Sequence, residues 1–195
     1  HLHRGAPRTE CDRRLCAPVR RRHHRRRPHH LRGDARIKEL WGGPLIIKGI
    51  MEPEDAILAA KSGADAMVIS NHGGRQLDGA PSSIASLADC VQAVQAENSK
   101  CEIWLDSGIR SGQDVLKAIA LGAKGTMIGR SFLYGLGAYG EDGVRRALEI
   151  IYKECDITMA FCGHTNISTV NEDIFVKGTY ENLKASNPHV TPIRW

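Results

Sequence analysis

Short apolar runs alternate with longer amphipathic stretches from about residue 36 to residue 162, and this alternation predicts successive strand–helix units. Residues 44–50 form a compact run with β-branched side chains, read as a buried strand. Pro53 then opens a helical stretch that places Ala56, Ile57, Ala60 and Ala64 on one face and closes at Gly63. Residues 66–70 read as a second strand, and 82–95 as a second helix capped by Ser82 or Ser83. Residues 101–106 give a third strand, followed by a helix over 112–121. Residues 125–129 give a fourth strand, and several helices fill 130–159.

Four such units in succession, each of about 25 residues, mean parallel strands joined by right-handed crossovers. An open doubly wound sheet and a (β/α)8 barrel both begin this way. The polar residues decide for the barrel: Lys48, Ser70 with His72, Asp106, and Gly129 with Arg130 fall at or just beyond the C-terminal ends of successive strands. Barrel enzymes place their active sites there. A TIM (β/α)8 barrel takes eight strands and roughly 250 residues, so the expected fold is α/β, about four β/α units making half a barrel.

The first 35 residues have a different texture. They contain 11 Arg against 3 acidic residues (+8), whereas the rest of the chain has 16 basic and 19 acidic residues (−3). The basic balance of the whole, +5, therefore belongs to this arm and is no argument that the folded part binds nucleic acid. Without lysine, aromatic residues or apolar periodicity, residues 1–35 are expected to be unstructured, with 36–195 as the barrel part. Three readings of the arm compete: an arginine-rich binder of nucleic acid or acidic surfaces, a metal site from Cys11, Cys16, His23 and His24 whose spacing fits no compact zinc pattern, and GC-rich coding sequence read in the wrong frame. The last is favoured, because Arg, His and Pro are in excess and the composition changes near Asp34. The chain begins with His rather than Met, which is read as the mark of a fragment or processed product.

No apolar run approaches the roughly 20 residues of a membrane span, and nothing reads as a signal peptide. The six cysteines show no tight framework. The expectation is a cytoplasmic protein with reduced thiols, with peripheral attachment to the inner membrane face left open.

The most informative stretch is Ser70-Asn71-His72-Gly73-Gly74-Arg75-Gln76-Leu77-Asp78, directly after the second apolar run. It sets a potential base three residues before a permanent cation. Such a pair suits chemistry on a small carboxylate: the guanidinium clamps the carboxylate while the imidazole handles a proton on the neighbouring carbon. The intervening glycines let the backbone approach a flat ligand. Two further motifs, Asp106-Ser107-Gly108-Ile109-Arg110 and Gly129-Arg130-Ser131, link the third and fourth strands to helix N-termini. Loops of this kind after the last strands form the usual phosphate site of a barrel, with Arg110 and Arg130 neutralising the anion.

On these motifs, residues 36 to about 175 resemble the C-terminal half of the FMN-dependent 2-hydroxy-acid dehydrogenases and oxidases, a family that includes glycolate oxidase and the flavin-linked L-lactate dehydrogenases. The resemblance implies the C-terminal half of a TIM barrel, FMN as cofactor, and oxidation of a small L-2-hydroxy acid, L-lactate before glycolate. It implies His72 as the catalytic base and Arg75 as the clamp on the substrate carboxylate. Lys48 would lie beside the flavin ring and stabilise negative charge there, and Ser70 would hydrogen-bond the flavin. Asp106, Ser107, Gly108, Arg110, Gly129 and Arg130 would hold the ribityl chain and phosphate. Gln76 and Asp78 are given loop-structuring roles, and His164 a structural one. The electron acceptor is left open, and a homo-oligomer is expected at full length.

The family's first four strands supply further flavin contacts and the aspartate that orients the histidine, and residues 1–35 resemble nothing there. An imidazole without its carboxylate partner loses orientation and charge stabilisation, so the chain by itself is expected to turn over little and to bind FMN weakly. Two alternatives stand beside this reading. One is a phosphate-binding barrel of the IMP-dehydrogenase type, which needs a cysteine loop that neither Cys90 nor Cys101 occupies. The other is an inactive half-barrel whose basic arm binds nucleic acid.

Overall fold

The computed structural model describes residues 29–176. Four parallel strands, β1 (Ile46–Ile50), β2 (Ala66–Ile69), β3 (Glu102–Leu105) and β4 (Gly125–Thr126), lie side by side in chain order. Their register places Lys48, Val68, Trp104 and Gly125 in one row. A doubly wound sheet reverses its strand order at a switch point; this sheet does not reverse, which is the barrel's way of adding strands.

The helices α2 (Pro53–Lys61), α3 (Ser83–Ala96) and α4 (Gly112–Ala120) follow β1, β2 and β3 in turn. They pack on the sheet through Ala56, Leu87, Val91 and Ala118, which meet Met67, Ile69, Ile103 and Leu105 in one buried cluster. Each large side chain enclosed there stabilises the fold by about 1.5–3 kcal/mol relative to exposure. All four residues of β2 are buried, as a central parallel strand covered on both faces requires. The other face carries Ile46 and Trp104, which line an opening of about 480 Å³ at the N-terminal ends of the strands.

The expected elements are all present, with four differences. Helix α1 (His29–Trp41) begins inside the segment expected to be unstructured. Its exposed Ile37, Leu40 and Trp41 show why no apolar stripe announced it. It is tied down instead by Lys38, which pairs with Asp65 and donates to the Gly43 carbonyl at 3.0 Å. Residues 1–28 of the arm, which hold its cysteine–histidine group, lie outside the described residues.

At the start of α3, Ser82 holds the cap position but its side chain makes no capping bond. The Ser83 hydroxyl is drawn away to donate to the carbonyls of Asp106 and Ser107 at 2.5 and 2.9 Å. Strand β4 is only two residues long where five were expected; the ladder continues for one bond, Met127 N–H to the Leu105 carbonyl at 2.9 Å, before the chain turns outward. The last helix, α5 (Arg130–Phe161), is broken at Tyr139 and Gly140, whose backbones leave the helical region. The two segments, 130–138 and 141–161, approach so closely that a Cβ on Gly135 would lie 2.3 Å from the Gly143 carbonyl oxygen.

A second close approach joins α4 to α5. A Cβ on Gly112 would stand 1.9 Å from the Cys155 backbone nitrogen. Gly112→Ala must push the two helices apart, and the expected cost is about 2–3 kcal/mol of folding stability, read from the shift of a urea unfolding curve. Among the described residues Cys90, Cys101, Cys155 and Cys162 are free thiols, and no helix is long and apolar enough to cross a membrane.

Candidate active site

The loop after β2 is held open by its own backbone. Asn71 accepts the Gly74 N–H on Oδ1 at 3.1 Å and donates from Nδ2 to the Pro81 carbonyl at 3.0 Å. Between them His72, Gly73 and Gly74 all take left-handed conformations, with φ of 57°, 71° and 72°. For His72 this costs on the order of 1 kcal/mol, and such strain persists where surrounding bonds over-determine the backbone. The imidazole approaches Gly49 by its Cε1–Nε2 edge, where a Cβ would stand 3.0 Å from Cε1 and 3.1 Å from Nε2. Asn71 was not singled out from the sequence; its place immediately before a Gly-Gly turn was the signal, since Asn side chains close such turns. Asp78 plays the loop role expected of it, accepting the Gly79 N–H at 3.1 Å.

Beneath the loop runs a polar network. The Lys48 ammonium donates to Ser70 Oγ at 2.9 Å and pairs with Asp106 Oδ2 at 2.8 Å. Ser107 donates from Oγ to Asp106 Oδ1 at 2.7 Å and accepts the Gly73 N–H at 2.9 Å. Ser70 Oγ also accepts the His72 N–H at 3.1 Å. Burial works to raise the pKa of Asp106, but hydrogen bonds from Lys48, Ser70 and Ser107, with the Lys48 charge, outweigh it and hold the pKa below its ordinary value.

A folded-state value below the unfolded one stabilises the protein above the unfolded value of 3.8 and loses that contribution as pH falls through the folded value. Asp106→Asn is therefore expected to remove part of the acid-side loss of stability. In unfolding curves taken from about pH 6 to about pH 2 the gap between wild type and variant narrows with falling pH. Asp65, whose carboxyl the Lys38 hydrogen bond also lowers, is present in both proteins and cancels.

A cavity of about 690 Å³ opens at the C-terminal ends of the strands. Nine of the ten residues picked out from the sequence line it: Lys48, His72, Arg75, Asp106, Ser107, Gly108, Arg110, Gly129 and Arg130. Ser70 is the exception. It is 1% exposed and sits under the floor with its hydroxyl already engaged, so it supports the site rather than forming its wall.

The cavity is electropositive. Lys48 is balanced by Asp106, but Arg75 and Arg110 have no acidic partner among the described residues, and Arg130 donates to the Gly73 carbonyl at 2.9 Å. Helix α5 starts at this wall with Gly129 in the cap position and no side-chain cap, so its first N–H groups are open to an anion there. The rest of the lining, from Met127, Leu133, Tyr134, Ile150 and Ile151, forms a largely apolar wall.

The sequence model of the FMN-dependent dehydrogenases matches residues 22–177. The chain belongs to the FMN-dependent dehydrogenase family. The L-lactate dehydrogenase of Pseudomonas paraeruginosa (strain DSM 24068 / PA7) is 50% identical over 141 residues, covering 72% of this chain and 36% of that protein. That of Actinobacillus pleuropneumoniae serotype 5b (strain L20) is 47% identical over 140 residues with the same coverage. A mandelate oxidase variant with a monooxide FMN adduct superposes with a TM-score of 0.67 at 41% identity, over 72% of this chain and 44% of that one. A flavocytochrome b2 variant with pyruvate bound gives 0.74 at 39% identity, over 83% and 40%.

The chain spans 36% of the length of the curated relatives it matches. Within the family's TIM barrel its four strands are about half of the cylinder. The family's cofactor is FMN. The family match starts at residue 22, inside the segment that the composition had set apart from the barrel. The apolar wall is what sequence reasoning missed in this chain. Tyr134 and Ile150 come to the cavity because α5 breaks at Gly140, and nothing local in the sequence says which face then turns inward.

Proposed function

We propose that the protein oxidises a small L-2-hydroxy acid, L-lactate first, to the 2-oxo acid with FMN as its cofactor. The observation that carries this is the convergence of His72 and Arg75 with the Arg110–Arg130 anion site on one cavity. The residues present suit the cofactor. Arg110, Arg130 and the start of α5 would hold the phosphate, and Asp106, Ser107, Gly108 and Gly129 would follow the ribityl chain. Lys48, oriented by Asp106 and Ser70, would stand beside the ring. Bound FMN supplies a two-electron acceptor.

His72 takes the proton released as the hydroxy acid is oxidised. Gly49 leaves room for the Cε1–Nε2 edge of the imidazole, which a Cβ there would crowd at 3.0 and 3.1 Å. Arg75 offers a planar fork that matches a carboxylate bidentately and so holds the substrate's reacting carbon near His72. Lys48 places a positive charge where negative charge develops. The test is anaerobic mixing of the FMN-loaded protein with L-lactate, D-lactate, glycolate and mandelate in turn. Loss of the oxidised flavin's visible absorbance with L-lactate ahead of the others, however slow, supports the reading, and reduction by D-lactate or mandelate ahead of L-lactate overturns it.

A further inference from the structure

We infer that Gly73 is a clamp through which filling of the anion site sets the position of His72 and Arg75, with Ser107 and Arg130 as its positioning residues. This rests on the proposed FMN site. Gly73 follows the base directly, and both of its backbone polar groups are held from outside its own loop. Its N–H donates to Ser107 Oγ, on the loop after β3, at 2.9 Å. Its carbonyl accepts from Arg130 Nη2, at the start of α5, at 2.9 Å. These are the two loops that build the anion site.

The fit depends on the residues being what they are. Gly73 has φ of 71°, and a Cβ there would stand 3.1 Å from Arg130 Nη2, so glycine suits both the backbone and the close approach of the guanidinium. Ser107 itself has φ of 70°, and its one hydroxyl proton goes to Asp106, which leaves the oxygen to accept from Gly73. Arg130 is exposed and spends one of its N–H groups on Gly73. A long exposed side chain gives up rotamer freedom to hold a single bond. An anion that takes its remaining N–H groups fixes the guanidinium and with it the Gly73 carbonyl. The coupling is reciprocal: an ordered His72–Arg75 loop must in turn tighten the anion site.

The experiment is amide exchange of Gly73 by NMR in the full 195-residue chain, alone and with saturating FMN, inorganic phosphate or riboflavin. FMN and phosphate are expected to slow exchange of Gly73 about tenfold, and riboflavin to leave it unchanged. In Arg130→Lys at saturating FMN the slowing is lost, because an ammonium meets the phosphate as a point charge without a fork to hold the carbonyl. Ser107→Ala exchanges fast in every state. A merely structural bond would protect Gly73 equally with and without phosphate. Protection that ignores FMN, follows riboflavin equally or survives in Arg130→Lys overturns the clamp and leaves the proposed function standing. A chain that binds neither FMN nor phosphate overturns both.

Discussion

His72→Asn lowers the rate of anaerobic flavin reduction by saturating L-lactate about 10³-fold, within the span that removal of a positioned general base produces. Asparagine is the substitution of choice because His72 has φ of 57°, and Asn tolerates the left-handed region better than other polar residues. The loop then keeps its shape, with Asn71 still closing the turn onto Gly74 and Gly73 still held by Ser107 and Arg130. What is lost is a group able to take the proton. Comparison at equal flavin occupancy makes the ratio independent of how fast these four β/α units turn over in absolute terms. A fall of less than about tenfold would assign the proton transfer elsewhere.

Arg75→Met acts on binding. It is expected to raise the L-lactate concentration for half-maximal reduction about 10²–10³-fold, because two charge-assisted hydrogen bonds to one carboxylate are lost together. Among the described residues Arg75 has no acid to neutralise it, so its charge is free for a ligand. The variant reaches close to the wild-type limiting rate at saturating substrate, since a uniform binding contribution moves KM and leaves the chemical step alone. Arg75→Lys falls between the two, keeping the charge and losing the fork. Equal sensitivity of limiting rate and half-saturation in Arg75→Met would mean that this arginine acts in the transition state itself.

How much of this was legible in the sequence follows from how local each cause is. The strand ends could be read because parallel strands are short apolar runs and Gly and Pro punctuate them. Lys48, His72, Asp106 and Arg130 were placed at one end of the sheet by that alone. Helix α1 could not be read because it is held by Lys38 reaching Asp65, 27 residues away, rather than by a buried stripe. The role of Ser83 is equally non-local: its hydroxyl answers to the carbonyls of Asp106 and Ser107, across the site, rather than capping α3. Ser70 was legible as a site residue but not as one under the floor, because its position depends on where the Lys48 ammonium lands. The apolar wall depends on the break at Tyr139 and Gly140: several helices were expected over 130–159, but not which face turns inward after the break.

Equilibrium binding of FMN and riboflavin, measured side by side on this chain and on an Arg110→Met/Arg130→Met double variant, tests the assignment most directly. The two ligands differ only in the phosphate. A phosphate site at the strand ends predicts that FMN binds about 10²-fold more tightly than riboflavin and that the double variant abolishes the difference. Equal affinities in the unsubstituted chain, or a preference for FMN that survives loss of both arginines, would contradict it.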